Sequence, residues 1–148
     1  MRRSRPALGL ASLLGAVLVG CGPSGASAAL TGGHSPGCPA PSADTPGARE
    51  SHLPVRALCA LPPQAVGLLR EIQIGAPTGY SRDGIIFGNA ARLLPRHARG
   101  YYHEYTVPTP GSADRGARRL VIGRGWELYY SGDHYRSFVV VDPRAARR

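Results

Sequence analysis

The chain has 148 residues, room for one domain and a tail but not for two domains of ordinary size. Its 18 basic residues are all arginine, set against 9 acids, which gives a net charge of +9 and a pI near 10.3. That excess disfavours a cationic partner and points to an anionic one, either nucleic acid or an acidic surface.

The N-terminus opens with the cationic "MRRSRP" and continues with "ALGLASLLGAVLVG", an apolar run too short for an ordinary membrane-spanning helix. Together they predict an export signal over residues 1–21. Two processing sites compete: "LVGC", Leu18 to Cys21, resembles a bacterial lipobox that would lipidate Cys21, and "ASA", Ala26 to Ala28, would suit ordinary signal peptidase. The lipobox is preferred, because a small-residue cleavage pattern arises easily by chance in a tract so rich in Ala, Gly and Ser. Either route predicts an extracellular or cell-surface protein, with a membrane contact only through a lipid at Cys21. Removing Arg2, Arg3 and Arg5 from the 18 leaves 15 arginines against 9 acids, +6, so the exported form stays basic.

Residues 22–56 are Pro, Gly, Ser and Ala with almost no large apolar side chain, a composition that predicts a disordered tether. His34, Cys38, His52 and Cys59 follow no zinc-ligand spacing, so no metal is expected. In an oxidising compartment Cys38 and Cys59 suit a disulfide, an even pair once Cys21 is lipidated, although two free thiols also fit the sequence.

The folded domain is expected over residues 57–143, with a basic tail at 144–148. "LPPQAVGLLREIQIGAP" reads as a helix: prolines at its start, then Ala65, Leu68, Leu69 and Ile72 at i, i+3, i+4 and i+7, with Gly75 as the stop. Short β-type runs follow at 84–87, 101–107, 118–123, 127–130 and 137–141, separated by turn sequences such as "TPGSADRG" and "SGDH". One early helix and a meander of strands predict an α+β fold, the helix packed on a twisted antiparallel sheet.

Alternation along "YYHEYTV" puts Tyr102, Glu104 and Thr106 on one face and Tyr101, His103, Tyr105 and Val107 on the other. Glu104 is therefore expected on the open face of the sheet. Further on come Arg115, Arg118 and Arg119 in "DRGARR", then His134 and Tyr135 in "GDHY". A carboxylate, a histidine and paired arginines can cleave RNA without metal. The carboxylate takes the 2′-OH proton, the imidazolium protonates the departing 5′-oxygen, and guanidiniums hold the phosphoryl oxygens. Each residue alone also fits an ordinary turn histidine, a solvated carboxylate or a solvated charged face.

"ALPPQA", "YSRDGIIFGN", "LLP", "GYYHEYTVPTPG", "RGARR" and "YYSGDHYRSF", in this order and spacing, resemble the small secreted guanyl-specific ribonucleases of bacteria, the barnase-like family. The resemblance runs from Ala60 to Val141. It implies the microbial ribonuclease fold, with Glu104 as general base, His134 as general acid, Arg115 and Arg119 on the scissile phosphate, and Tyr135 lining the site. Arg118 and His103 alternate away; Arg118 is expected to be ordinary surface and His103 a structural strand residue. Close arginines are expected to keep Glu104 ionised. The implied reaction is transphosphorylation of single-stranded RNA to a 2′,3′-cyclic phosphate and then hydrolysis, with no cofactor; DNA lacks the attacking hydroxyl.

The chain departs from the family where guanine is read. After Phe87, Gly88 and Asn89 the family's Arg-Glu pair is replaced by Ala90 and Ala91. The lost carboxylate would have accepted hydrogen bonds from guanine, whereas backbone N–H groups near Asn89, Ala90 and Ala91 still suit its acceptors. A weakened guanine preference follows. Some relatives also join the two ends of the domain by a disulfide; "VDPRAARR" offers no partner for it, and lower stability is expected unless Cys38–Cys59 compensates. The alternative reading is a catalytically weak RNA- or nucleotide-binding module of the same fold. A monomer is expected, and an acidic protein inhibitor is compatible with the basic site.

Overall fold

The computed structural model describes residues 37–146; the export signal, Cys21 and His34 lie outside them. The first ordered elements are a single turn of helix, α1 (Ala48–Ser51), and a three-residue strand, β1 (Val55–Ala57). A 3-10 turn at Leu58–Ala60 leads into α2 (Pro63–Gln73), and β2 (Ile85–Ile86) follows. The chain then forms β3 (Tyr102–Thr106), β4 (Arg119–Gly123), β5 (Leu128–Ser131) and β6 (Val139–Asp142), and closes on a 3-10 turn at Pro143–Ala146. The six strands make one sheet in the order β1-β6-β5-β4-β3-β2. All pairings are antiparallel except β1 with β6, so the expected antiparallel sheet gains one parallel edge strand.

Helix α2 forms where its pattern predicts. Pro63 occupies the first turn, where a missing N–H costs nothing, and Gly75 takes the left-handed conformation that ends the run, at φ +67°. Its stripe of Ala65, Leu68 and Leu69 is buried against Val107, Leu120, Ile122, Leu128 and Val141, with Ile72 at the margin. The opposite sheet face is not open along its length. Tyr102, Val121, Tyr129 and Val140 build a second apolar cluster there, covered by Leu94 and Phe138 from the loops. Glu104 lies on this second face, paired with Val121, and is only 8% exposed. The expected alternation holds, while the solvated surroundings expected for Glu104 are replaced by a nearly closed site.

The tether and the domain boundary need correction. Residues 37–56 are folded onto the domain although they carry little apolar surface, because covalent and polar links add to the packing of Ala48, Leu53 and Val55 on the second cluster. Cys38 and Cys59 form a disulfide, with Cα atoms 5.8 Å apart. The Ser42 N–H donates to Asp142 Oδ2 (2.8 Å), Thr45 is buried, and β1 runs alongside β6 with Val55 opposite Val140. The expected tail boundary falls inside the last 3-10 turn, where Arg144 Nε donates to Asp142 Oδ1 at 3.0 Å. Burial alone would raise the Asp142 carboxyl pKa, but the bonds from Arg144 and from Ser42 N–H bring it below its usual value.

Candidate active site

Strand β3 is the platform of the site. On its outer face Tyr102, Glu104 and Thr106 follow one another, and β4 brings Arg119 beside Thr106 and Val121 beside Glu104. The turn between the two strands bends through Gly116 at φ +61°, where an added Cβ would come within 2.5 Å of Thr109 Oγ1. Glycine is needed there, since a side chain would strain the backbone and meet Thr109 at once. This turn aims Arg115 and Arg119 at the same patch of sheet.

Arg119 is 5% exposed and braced at its base. Its Nη1 donates to the carbonyls of Gly116 and Arg118, both at 2.8 Å, and its Nε donates to the Tyr135 hydroxyl at 3.0 Å. The Tyr135 hydroxyl in turn donates to Glu104 Oε2 at 2.7 Å. Burial, then the bond and charge of Glu104, hold the Tyr135 phenol above its ordinary pKa, so it remains a donor. Arg115 donates through Nε and Nη2 to Thr106 Oγ1 at 3.0 and 2.6 Å, and Nη2 stands 3.9 Å from Glu104 Oε1. One carboxylate is thus bonded by a phenol, approached by one guanidinium and linked through the phenol to a second.

His134 and Tyr135 sit in the β5–β6 loop, both left-handed, at φ +56° and +63°. Such conformations cost ~1–3 kcal/mol each unless the surroundings hold them. Asp133 holds them. Its Oδ1 accepts from the Ser131 hydroxyl and from the N–H groups of Arg136 and Ser137, and its Oδ2 from the Ser137 hydroxyl. The bonds from Ser137, then those from Ser131 and Arg136, outweigh burial and pull its carboxyl pKa down to about 2. His134 is exposed, next in chain to the tyrosine that reaches Glu104.

Phe87 leads from this centre to the expected base site. Its ring stacks on Tyr135 (centroids 5.3 Å apart) and meets Phe138 edge-on at 5.8 Å. Asn89 is left-handed and clips the following loop: its Oδ1 accepts from Leu94 N–H at 3.1 Å and its Nδ2 donates to the Leu94 carbonyl at 2.8 Å. The Asn89 side chain is therefore occupied within the loop. The N–H groups of Gly88, Asn89, Ala90 and Ala91 have no hydrogen-bond partner among the described residues. A cavity of about 540 Å³ opens beside Phe87, Gly88 and Asn89, with Tyr102 in its lining.

Glu104, Arg115, Arg119 and Tyr135 are thus brought into contact or near contact. Phe87 joins them through Tyr135, and Gly88 to Ala91 lie next along the chain. Arg118 stands apart, close enough to Tyr130 on the α2 side to influence its hydroxyl. His103 Nδ1 bonds the Gly84 carbonyl at 2.8 Å, a link that ties β3 to the turn before β2. Asp83 is a neighbour that sequence reading passed over. Its side chain is 1% exposed, its Oδ1 accepts from Thr106 N–H at 2.7 Å, and Arg115 Nη2 lies 3.8 Å away. "DG" before an apolar pair signals a turn, and nothing local reveals that this aspartate is folded inward beneath an arginine.

A family model described as ribonuclease matches residues 45–142. Guanyl-specific ribonuclease Sa3 of Kitasatospora aureofaciens is 57% identical over 84 residues, 56% of this chain and 60% of the relative, so the chain spans less than two thirds of that protein. Guanyl-specific ribonuclease St of Saccharopolyspora erythraea is 48% identical over 99 residues, 67% of this chain and 93% of the relative. The crystal structure of ribonuclease Sa2 with guanosine-2′-cyclophosphate superimposes with a TM-score of 0.59 at 47% identity, covering 62% of this chain and 98% of that one. Matched from residue 45 to residue 142 and sharing the sheet that carries these side chains, the chain belongs to the ribonuclease family.

Proposed function

We propose that the protein is an exported endoribonuclease that cleaves single-stranded RNA by transphosphorylation, without a metal. The observation that carries this reading is the chain of contacts Arg119–Tyr135–Glu104, with Arg115 3.9 Å from the same carboxylate. Glu104 removes the 2′-OH proton, and the 2′-oxygen attacks phosphorus. The P–O5′ bond breaks as His134 gives its proton to the leaving oxygen, and the product is a 2′,3′-cyclic phosphate. In the second step water opens the ring with the two proton carriers exchanging roles. Arg115 and Arg119 hold the phosphoryl oxygens as charge accumulates, and their bracing makes that stabilisation preorganised.

The base rests on Phe87, with the unpaired N–H groups of Gly88 to Ala91 directed to its acceptors. The Sa2 structure named for its guanosine cyclophosphate supports guanine as the preferred base. The lining of this chain's cavity contains no acidic side chain to bind guanine's N–H groups. One bidentate pair contributes ~1–3 kcal/mol of discrimination, a factor of roughly 5 to 150, so the preference for guanine is weaker by about that factor than a carboxylate would give. Export by the N-terminal signal, lipidation at Cys21 and action as a monomer complete the proposal, and a basic site of this kind would also suit an acidic inhibitor.

Full-length protein incubated with RNA in EDTA tests the activity. Cyclic-phosphate ends are the expected result, and binding without cleavage would favour a nucleotide-binding module. A dinucleotide panel returning strong selectivity for guanosine on the 5′ side of the scissile bond would overturn the weakened preference. Mass spectrometry of the mature N-terminus reads the lipid at Cys21 directly.

A further inference from the structure

The cavity beside Phe87 is lined by aromatic and cationic side chains. Phe87 and Tyr102 line it together with Arg92, Arg96 and Arg99. All three arginines are exposed, and none forms an ion pair or a side-chain hydrogen bond among the described residues. His97 also borders the cavity but is otherwise engaged, stacked on Tyr101 at 3.8 Å and 3.5 Å from Glu50. Three guanidiniums around one concavity repel one another, and low-dielectric walls focus their field. An anion in the cavity would relieve that repulsion.

Position decides which anion. Tyr102 and Glu104 are two residues apart on one face of β3, a separation of ~7 Å. Phe87 stacks on Tyr135, which bonds Glu104. A nucleotide with its base on Phe87 and its 3′-phosphate at Arg115 and Arg119 carries only one other phosphate, on its 5′ carbon. His134 does not line the cavity, and in the proposed reaction it serves the leaving nucleotide, so the cavity is left to the 5′-phosphate of the nucleotide that stays. The arginine-bearing loop is held for this task. Asn89 clips it to Leu94, and Arg92 N–H bonds the Asn89 carbonyl at 2.9 Å.

We infer that Arg92, Arg96 and Arg99 form a second phosphate subsite that takes the 5′-phosphate of the nucleotide whose 3′-linkage is cut. The inference rests on the ribonuclease reading for its orientation. It makes the enzyme one that prefers positions inside a chain over unphosphorylated 5′ ends, and it shifts part of substrate selection from the base to the backbone. Guanidiniums suit this role because their planar forks match phosphate oxygens two at a time.

The test uses uncleavable ligands, so that binding is read without turnover. Guanylyl-adenosine with a 2′-deoxyribose at the attacked position is titrated into the full chain with and without a 5′-phosphate. The phosphate is expected to tighten binding about tenfold, the scale of one charge-assisted contact. Arg96→Ala combined with Arg99→Ala should reduce that advantage to less than twofold. Arg118→Ala, which removes one arginine from the other face, should leave it intact. Equal affinity for the two ligands in the wild-type protein, an advantage that survives the double substitution, or no binding of either ligand would overturn the subsite. Failure to cleave RNA would remove the proposed activity and still leave this comparison to decide the subsite.

Discussion

Glu104 is a carboxylate in a nearly closed place, and its neighbours account for what it can do. The Tyr135 hydroxyl occupies one oxygen, and Arg115 Nη2 stands 3.9 Å from the other without bonding it. Glu104→Gln keeps an oxygen for Tyr135 to bond but removes the base, so turnover should fall about 10²–10⁴-fold with folding retained. His134→Ala should cost a similar factor with an unchanged melting temperature, because the side chain is exposed. Cyclic-phosphate release from a dinucleotide measures both, and a loss below tenfold would mean the roles are misassigned. Asp133 makes a separate prediction. Its folded pKa, about 2, lies below its ordinary 3.8, so its contribution is complete above pH 3.8 and disappears as pH falls towards 2. The His134 and Tyr135 ring resonances should lose their folded dispersion over that window, before the sheet unfolds. In Asp133→Asn that step should be gone, and activity at neutral pH should be reduced by the loosened loop.

Strand β1 and the segment before it depend on links that are distant in sequence. The disulfide closes a loop across a separation of 21 residues, and a loop of that size stabilises a domain by roughly 3 kcal/mol through the unfolded chain. Cys59→Ser, or reduction, should lower the unfolding free energy in denaturant by about that amount. It should also release amide protection in residues 42–57 before that of β3 to β5. Helix α2 and the strand cores were legible beforehand because each carries its own period: 3.6 in Ala65, Leu68, Leu69 and Ile72, and alternation in residues 101–107. Strand β1 is not legible, since three residues flanked by proline have no period to read. What makes it a strand is β6, some 85 residues later, whose edge its backbone joins in register. Residues 37–56 were expected to be disordered for the same reason: their composition is that of a tether, and their order comes from a sulfur bridge and a buried aspartate.

At the scale of the molecule, five of the described arginines gather in two adjoining places. Arg115 and Arg119 are braced at Glu104, while Arg92, Arg96 and Arg99 ring the neighbouring cavity. If two phosphates are neutralised on binding, the affinity for an uncleavable single-stranded oligonucleotide should fall with a log–log salt slope of about −1.4. Removing Arg92, Arg96 and Arg99 together should halve that slope. A slope unchanged by that substitution would place the second phosphate elsewhere.

Helix α2, the strands from β2 to β6 and the presence of an acid, an imidazole and paired arginines are properties of the sequence by itself, and the resemblance to a family adds the missing base-reading carboxylate at Ala90 and Ala91. They can be read there because periodicity and residue chemistry are local. The burial of Glu104, the Tyr135 hydroxyl that bridges it to Arg119, the aspartate beside Arg115 and the three arginines that share a cavity with Phe87 and Tyr102 were decided only by the tertiary structure. Those features depend on side chains that the register of β3 against β4 and the path of two loops bring together. No stretch of chain records which distant neighbour it will meet.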